Sequence, residues 1–262
     1  MPTPEIVLLL VAAAFCAGFI DAIAGGGGLI TIPALLAAGL PPGQALATSK
    51  LQASFGTAMA TAVYWRAGQI DVRAMAGPVL CALVGSALGS WTVQRIDPAF
   101  LGAVVPVLLV AIAIYFLLSP RAGDLPARQR VSMGAFALTV GFGVGFYDGF
   151  FGPGAGSFYA IGLVALLGQP LRQATANTKL LNFTSNAVSL AVFALGGKIL
   201  WALGLAMAGG QLAGSYLGSR ATLRFGAKMV RPLLVTICLA MTARLVTMPD
   251  NPLRVWVLGL VG

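Results

Sequence analysis

The chain has 262 residues, 58% of them hydrophobic and only 9% charged. A soluble domain carries about 25% charged residues, so this composition, with a mean hydropathy of +0.92, marks an all-α polytopic membrane protein. The net charge of +9 sits mainly in short loops between apolar segments, where it orients helices and gives no reason to expect nucleic acid; three scattered cysteines (Cys16, Cys81, Cys238) and no histidine leave no disulfide framework, zinc site, haem or other cofactor to expect.

In chain order, "MPTPEIVLLLV" has no basic n-region and carries Glu5, so it reads as a mature first helix and not a cleaved signal. That helix, a, is expected at about 5–24. It runs into "AGGGG" (24–28), where four glycines break it, since each costs about 1 kcal/mol relative to alanine inside a helix. A short helix b follows at 29–40, then c at 43–64, d at 73–94 and e at 98–118. After a basic stretch at 119–131 come a′ at 132–151, a second break "GPGAG" (152–156), b′ at 157–167, c′ at 171–195, d′ at 199–219 and e′ at 229–248. The tail 252–262 is too short to span and is assigned to the membrane interface or a homo-oligomer contact.

The two halves are duplicates. "GFIDAIAGGGG" (18–28) matches "GFYDGFFGPGA" (145–155), which pairs Asp21 with Asp148 at an offset of 127. "GQALATSKL" (43–51) matches "RQATANTKL" (172–180) at 129, which pairs Lys50 with Lys179. "GSALGS" (85–90) matches "GSYLGS" (214–219), again at 129. The whole chain, 1–262, is therefore one membrane domain of two repeats, about 5–118 and 132–248, a size typical of secondary transporters. If b and b′ each carry the chain across, loops 66–73, 119–131 and 220–231 share one side. That side then holds nine basic residues: Arg66, Arg73, Arg121, Arg128, Arg130, Arg220, Arg224, Lys228 and Arg231. The positive-inside rule makes it cytoplasmic and puts the N-terminus outside. Five crossings per half invert the second repeat relative to the first.

Each half joins an acid (Asp21 or Asp148), a glycine break (Gly25, Gly26, Gly27, Gly28 or Gly152, Gly154), a hydroxyl in the first turn of a short helix (Thr31 or Ser157) and a lysine two turns into c (Lys50 or Lys179). A charge at membrane depth costs at least about 2.5–3.5 kcal/mol and is a functional-site hypothesis by default. Ser54, Thr57 and Thr61 follow Lys50 along one helix face; Asn182, Asn186 and Ser189 follow Lys179 in the same way. Helix N-termini bind anions through free N–H groups, so a helix start beside an ammonium, hydroxyls and amides suits a small oxyanion. The plainer alternatives are that the lysines pair with Asp21 and Asp148 or snorkel to an interface, and that the glycines serve close packing. Asp21 and Asp148 either cap a helix, pair with lysine or carry a coupling proton. The two GSxLGS stripes read as packing surfaces and Trp65, Trp201 and Trp256 as interface anchors. Tyr147, Tyr159 and Phe151 are cavity-lining candidates. No Gly-Lys-Ser/Thr follows the glycines, so this is not a P-loop. No nucleophile–base pair is visible, so no enzyme is expected.

At "GFIDAIAGGGGLITIPAL", "ALATSKLQA", "GFYDGFFGPGAGSFY" and "ATANTKLLN" the chain resembles the sulfite exporter TauE/SafE family. This is also called the 4-toluene sulfonate uptake permease family, and the likeness is greatest to its YfcA-like branch. The resemblance covers both repeats. It implies a multi-pass transporter in the bacterial inner membrane, moving a small sulfur-containing anion such as sulfite, sulfoacetate or a related organosulfonate by alternating access. The alternatives at this stage are an anion-selective channel and an accessory membrane protein without transport activity.

Overall fold

A computed structural model describes residues 3–118 and 128–225, and every regular element among them is helical. Segment e′, the tail, Cys238 and Trp256 lie outside the described residues, as do most of the 119–131 loop and the end of the 220–231 loop. Ten helices follow in order: α1 (Pro4–Ala24), α2 (Gly28–Ala37), α3 (Pro42–Arg66), α4 (Ala76–Val93), α5 (Pro98–Leu118), α6 (Met133–Phe136), α7 (Phe142–Phe150), α8 (Ala155–Ala165), α9 (Leu171–Leu195) and α10 (Trp201–Phe225). The expected a′ is not one regular helix. A π-helical stretch, Ala137–Gly141, joins α6 to α7, which apolar periodicity cannot reveal.

The helix starts follow from local chemistry. Proline opens α1 and α3, where its missing N–H costs nothing. Gly25 ends α1 in the left-handed conformation at φ 81°, and Gly152 and Gly154 take φ 105° and 81° at the second break. Pro4–Ala24 and Ala76–Val93 are long and apolar enough to cross a membrane. At 25 residues each, α3, α9 and α10 reach about 37 Å; their many polar side chains face one another in the interior.

α2 doubles back along α1. Leu35 and Leu40, at and just beyond its end, cluster with Leu10 of α1, and Ile6, Val7 and Ala38 pack on the same cluster. α8 likewise returns to the start of α6, with Leu167, Leu171, Val131 and Met133 in one cluster with Met75. Each break is therefore the inner tip of a hairpin, and the chain leaves each hairpin at the end where it entered.

Two parallel helix pairs clamp the hairpins. α1 lies along α10, and α7 lies along α4. A Cβ added at Gly214 or Gly218 would strike the carbonyls of Phe15 or Phe19; one at Gly85 or Gly89 would strike those of Phe142 or Phe146. The GSxLGS stripes thus bring backbones into contact, as small residues do in membrane helices. Gly85→Ala or Gly214→Ala should push a pair apart and cost about 1–3 kcal/mol each, seen as a lower melting temperature in detergent. Gly209→Ala is the control, because a Cβ there meets nothing within 4 Å.

Candidate functional site

The two glycine breaks touch at the centre of the molecule. A Cβ on Gly25 would lie 2.5 Å from Cα of Gly156, and one on Gly28 would lie 3.1 Å from Cα of Pro153. Glycine at 25, 28 and 156 allows this approach. Ending α1 here also leaves carbonyls without helical partners, and neighbours satisfy them. Lys179 Nζ donates to the carbonyl of Asp21, Tyr64 OH donates to Ala22 O at 3.1 Å, and Ser157 Oγ donates to Ala24 O at 2.5 Å. Ser90 Oγ donates to Gly149 O at 3.2 Å, and Tyr147 OH to Pro153 O at 2.5 Å, around the second break.

Between the breaks lies a cavity of about 30 Å³, room on the scale of one or two waters. Its backbone wall includes Gly25, Gly27, Gly28, Gly152 and Gly156. The amides of Gly28 and Gly156, in the first turns of α2 and α8, meet no acceptor among the described residues. Its charged wall is Lys50, Asp148 and Asp21. Lys50 Nζ sits 2.6 Å from Asp148 Oδ1 and donates to Asn186 Oδ1 at 3.1 Å, which uses two of its three donors. Asp148 Oδ2 accepts from Ser185 Oγ.

Four buried side-chain oxygens on this wall have no partner among the described residues: Asp21 Oδ2, Gln52 Oε1, Asn182 Oδ1 and Gln211 Oε1. Buried polar atoms are nearly always paired, and an unpaired one costs about 1–3 kcal/mol. Four around one cavity mark a place built to hold something polar.

Several expected site residues stand outside this lining. Gly26 and Gly154 supply carbonyls that start α2 and α8. Thr31 Oγ1 donates to Gly27 O at 3.4 Å and meets Ser49 Oγ at 3.1 Å, and Ser54 Oγ returns its proton to Lys50 O at 2.7 Å. Ser157 and Lys179 hold the end of α1. Of the aromatic candidates, Phe151 lines the cavity while Tyr159 is buried away from it. Gln52 and Gln211 carried no signal: the duplicate of Gln52 is Leu181 and that of Gln211 is Ala82.

Around this polar centre the surface is greasy. Leu8, Leu9, Leu80, Leu138 and Leu205 are exposed, while Lys50, Lys179, Asp21 and Asp148 are buried. Soluble proteins do the reverse. Leucine turned outward and charge gathered inward around a central cavity define an integral membrane protein of the transporter class. The family model for Sulfite exporter TauE/SafE matches residues 10–245, and the chain belongs to that family. It is 46% identical over 252 residues to a probable membrane transporter protein, ORF9, of a Sinorhizobium species, covering 96% of this chain and 97% of that one. It is 46% identical over 245 residues to the probable membrane transporter protein YfcA of Escherichia coli K12, covering 94% and 91%. A probable membrane transporter protein of Haemophilus influenzae is 45% identical over 242 residues, covering 92% and 95%. No solved structure matches the chain. The protein is a membrane transporter.

Proposed function

We propose that the protein is a secondary transporter of small sulfur-containing oxyanions or organosulfonates across the bacterial inner membrane. The observation that carries this reading is the convergence of two helix N-termini and the Lys50 ammonium on one buried, underfilled cavity. The unpaired amides of Gly28 and Gly156 supply directed N–H donors and the positive ends of two helix dipoles. Gln52, Asn182 and Gln211 each add two N–H donors when their terminal amides turn over. Lys50 faces the anion, and Lys179 positions the break by holding Asp21 O.

Alternating access would come from two inverted repeats. Supporting this, Gly214 and Gly218 sit on Phe15 and Phe19 as Gly85 and Gly89 sit on Phe142 and Phe146, with constant offsets of 129 and 127. Because α1 and α10 run parallel, Arg220 and Arg224 lie at the same end as Arg66, Arg73, Arg128 and Arg130. Arg95 and Lys198 lie at the other. This excess orients the first end to the cytoplasm, with loops 66–73, 119–131 and 220–231, and the N-terminus outside.

The test is thermal stability of the purified protein against sulfite, thiosulfate, sulfate, sulfoacetate and taurine. A ligand at 100 times its Kd should add about 2.7 kcal/mol. No stabilisation by any of the panel would overturn the anion site. A steady unitary current across a reconstituted bilayer would overturn carrier transport in favour of a channel.

A further inference from the structure

We propose that Asp21 is the proton-coupling group of this site: its carboxyl gains one proton as an anion enters the cavity and loses it as the anion leaves. The inference rests on the anion-site reading and deepens it.

The two duplicated acids have different surroundings. Asp148 is closed off, with Lys50 on one oxygen at 2.6 Å and Ser185 on the other. Asp21 is 8% exposed; its Oδ1 accepts only the Gly27 N–H, at 3.2 Å, and its Oδ2 has no partner. Among the described residues no cation lies within 4.0 Å of its carboxylate, since the one ion pair is Lys50–Asp148. Lys179, the duplicate of Lys50, turns to the backbone carbonyl of Asp21 instead.

The elements packed on Asp21 supply few other charges. α9 brings Lys179; α3 brings Lys50 and Tyr64, the latter on Ala22 O; α7 brings Asp148 across the cavity. α2 has no titratable residue, and α8 contributes only Tyr159, fully buried with its hydroxyl unpaired. α10 presents Gln211, while its Arg220 is exposed and stacks over Tyr216 at 5.0 Å.

An anion in so small a cavity meets Asp21 Oδ2 directly. Two like charges in one buried space disfavour each other, and the carboxylate can be relieved by a proton. The step is simple: a carboxylate oxygen takes a proton from hydronium, its new O–H bond forms as the hydronium O–H bond breaks and leaves water, and the solution buffer replaces the proton. Protonation also turns an acceptor into an O–H donor that can bind the anion. By linkage, anion and proton then bind more tightly together than apart.

The test is calorimetric titration of the full-length protein in detergent with sulfoacetate, which does not titrate between pH 6 and 8. Two buffers of different ionisation enthalpy give the protons taken up. Near pH 8 the wild type should take up close to one proton per anion, and its affinity should rise up to tenfold per unit fall in pH. Asp21→Asn should take up none, lose the pH dependence and bind at least tenfold more tightly than the wild type at pH 8. Glu5→Gln, at an exposed acid outside the cavity, should still take up one proton. Binding without uptake in the wild type, uptake that survives in Asp21→Asn, or binding driven by sodium at fixed pH would each overturn the inference alone. Absence of any binding to sulfoacetate or sulfite would overturn the anion site and this inference with it. The wild-type comparison holds whether or not either variant folds.

Discussion

Lys50→Ala should reduce transport in proteoliposomes to background and lower stability by about 3–5 kcal/mol, the usual cost of leaving one partner of a buried pair alone. Lys50 is 4% exposed and Asp148 2%, so bulk solvent does not reach the carboxyl left behind. The two losses have separate causes. Stability falls because the buried Asp148 carboxyl is left with Ser185 as its one side-chain partner among the described residues; binding falls because the cavity loses its ammonium. The double variant Lys50→Met with Asp148→Asn removes both charges and should recover most of the melting temperature, since apolar or neutral replacements of buried pairs are often tolerated. It should recover no anion binding. If the double variant binds and transports like the wild type, the pair is scaffolding and the ligand lies elsewhere.

Gly25→Ala should be comparably severe, by a different route. The left-handed backbone at φ 81° costs a side chain about 1–2 kcal/mol, and a Cβ there lies 2.5 Å from Gly156. Overpacking adds about 1–3 kcal/mol, so the sum is about 2–5 kcal/mol. The functional loss should be greater than the stability loss alone would give. Separating the hairpin tips moves the Gly28 and Gly156 amides apart, and an anion cannot then reach both. Gly39→Ala is the matched control. Its φ is 84°, but a Cβ meets nothing within 4 Å, so it should carry the backbone cost and leave ligand-induced stabilisation intact. Thermal melting with and without sulfite reads both quantities.

Much of this arrangement is legible from the sequence because it occurs twice. The glycine breaks, the acids before them and the lysines after them echo at 127 or 129 positions, and the expected helix ends mostly agree within three residues. What the echo cannot show is which half pairs with which. Lys50 meets Asp148 and not Asp21, a choice made by how α3 and α7 both pack on α9. Nor can the echo reveal residues without a duplicate, and Gln52 and Gln211 are of that kind. The partners of the hydroxyls are equally hidden: Thr31, Ser54 and Ser157 each donate to a backbone carbonyl, as short hydroxyls in apolar surroundings do. Finally, the asymmetry between Asp21 and Asp148 is invisible in matched motifs, because it depends on where two identical ammonium groups point.

The exchanged pairing of α1 with α10 and α4 with α7 has a consequence for biosynthesis. α1 ends at residue 24 and α10 begins at residue 201, 177 residues later. At about 5–20 residues per second, α1 waits roughly 9–35 s in the bilayer before its long partner is made. During that interval Lys50 has no Asp148 until the second hairpin emerges, and the glycine stripe that should cover α1 does not yet exist. The first half cannot mature ahead of the second. Assembly is gated by the ribosome's arrival at α10, which makes the nascent protein dependent on the insertion machinery for longer than a bundle of neighbouring hairpins would be.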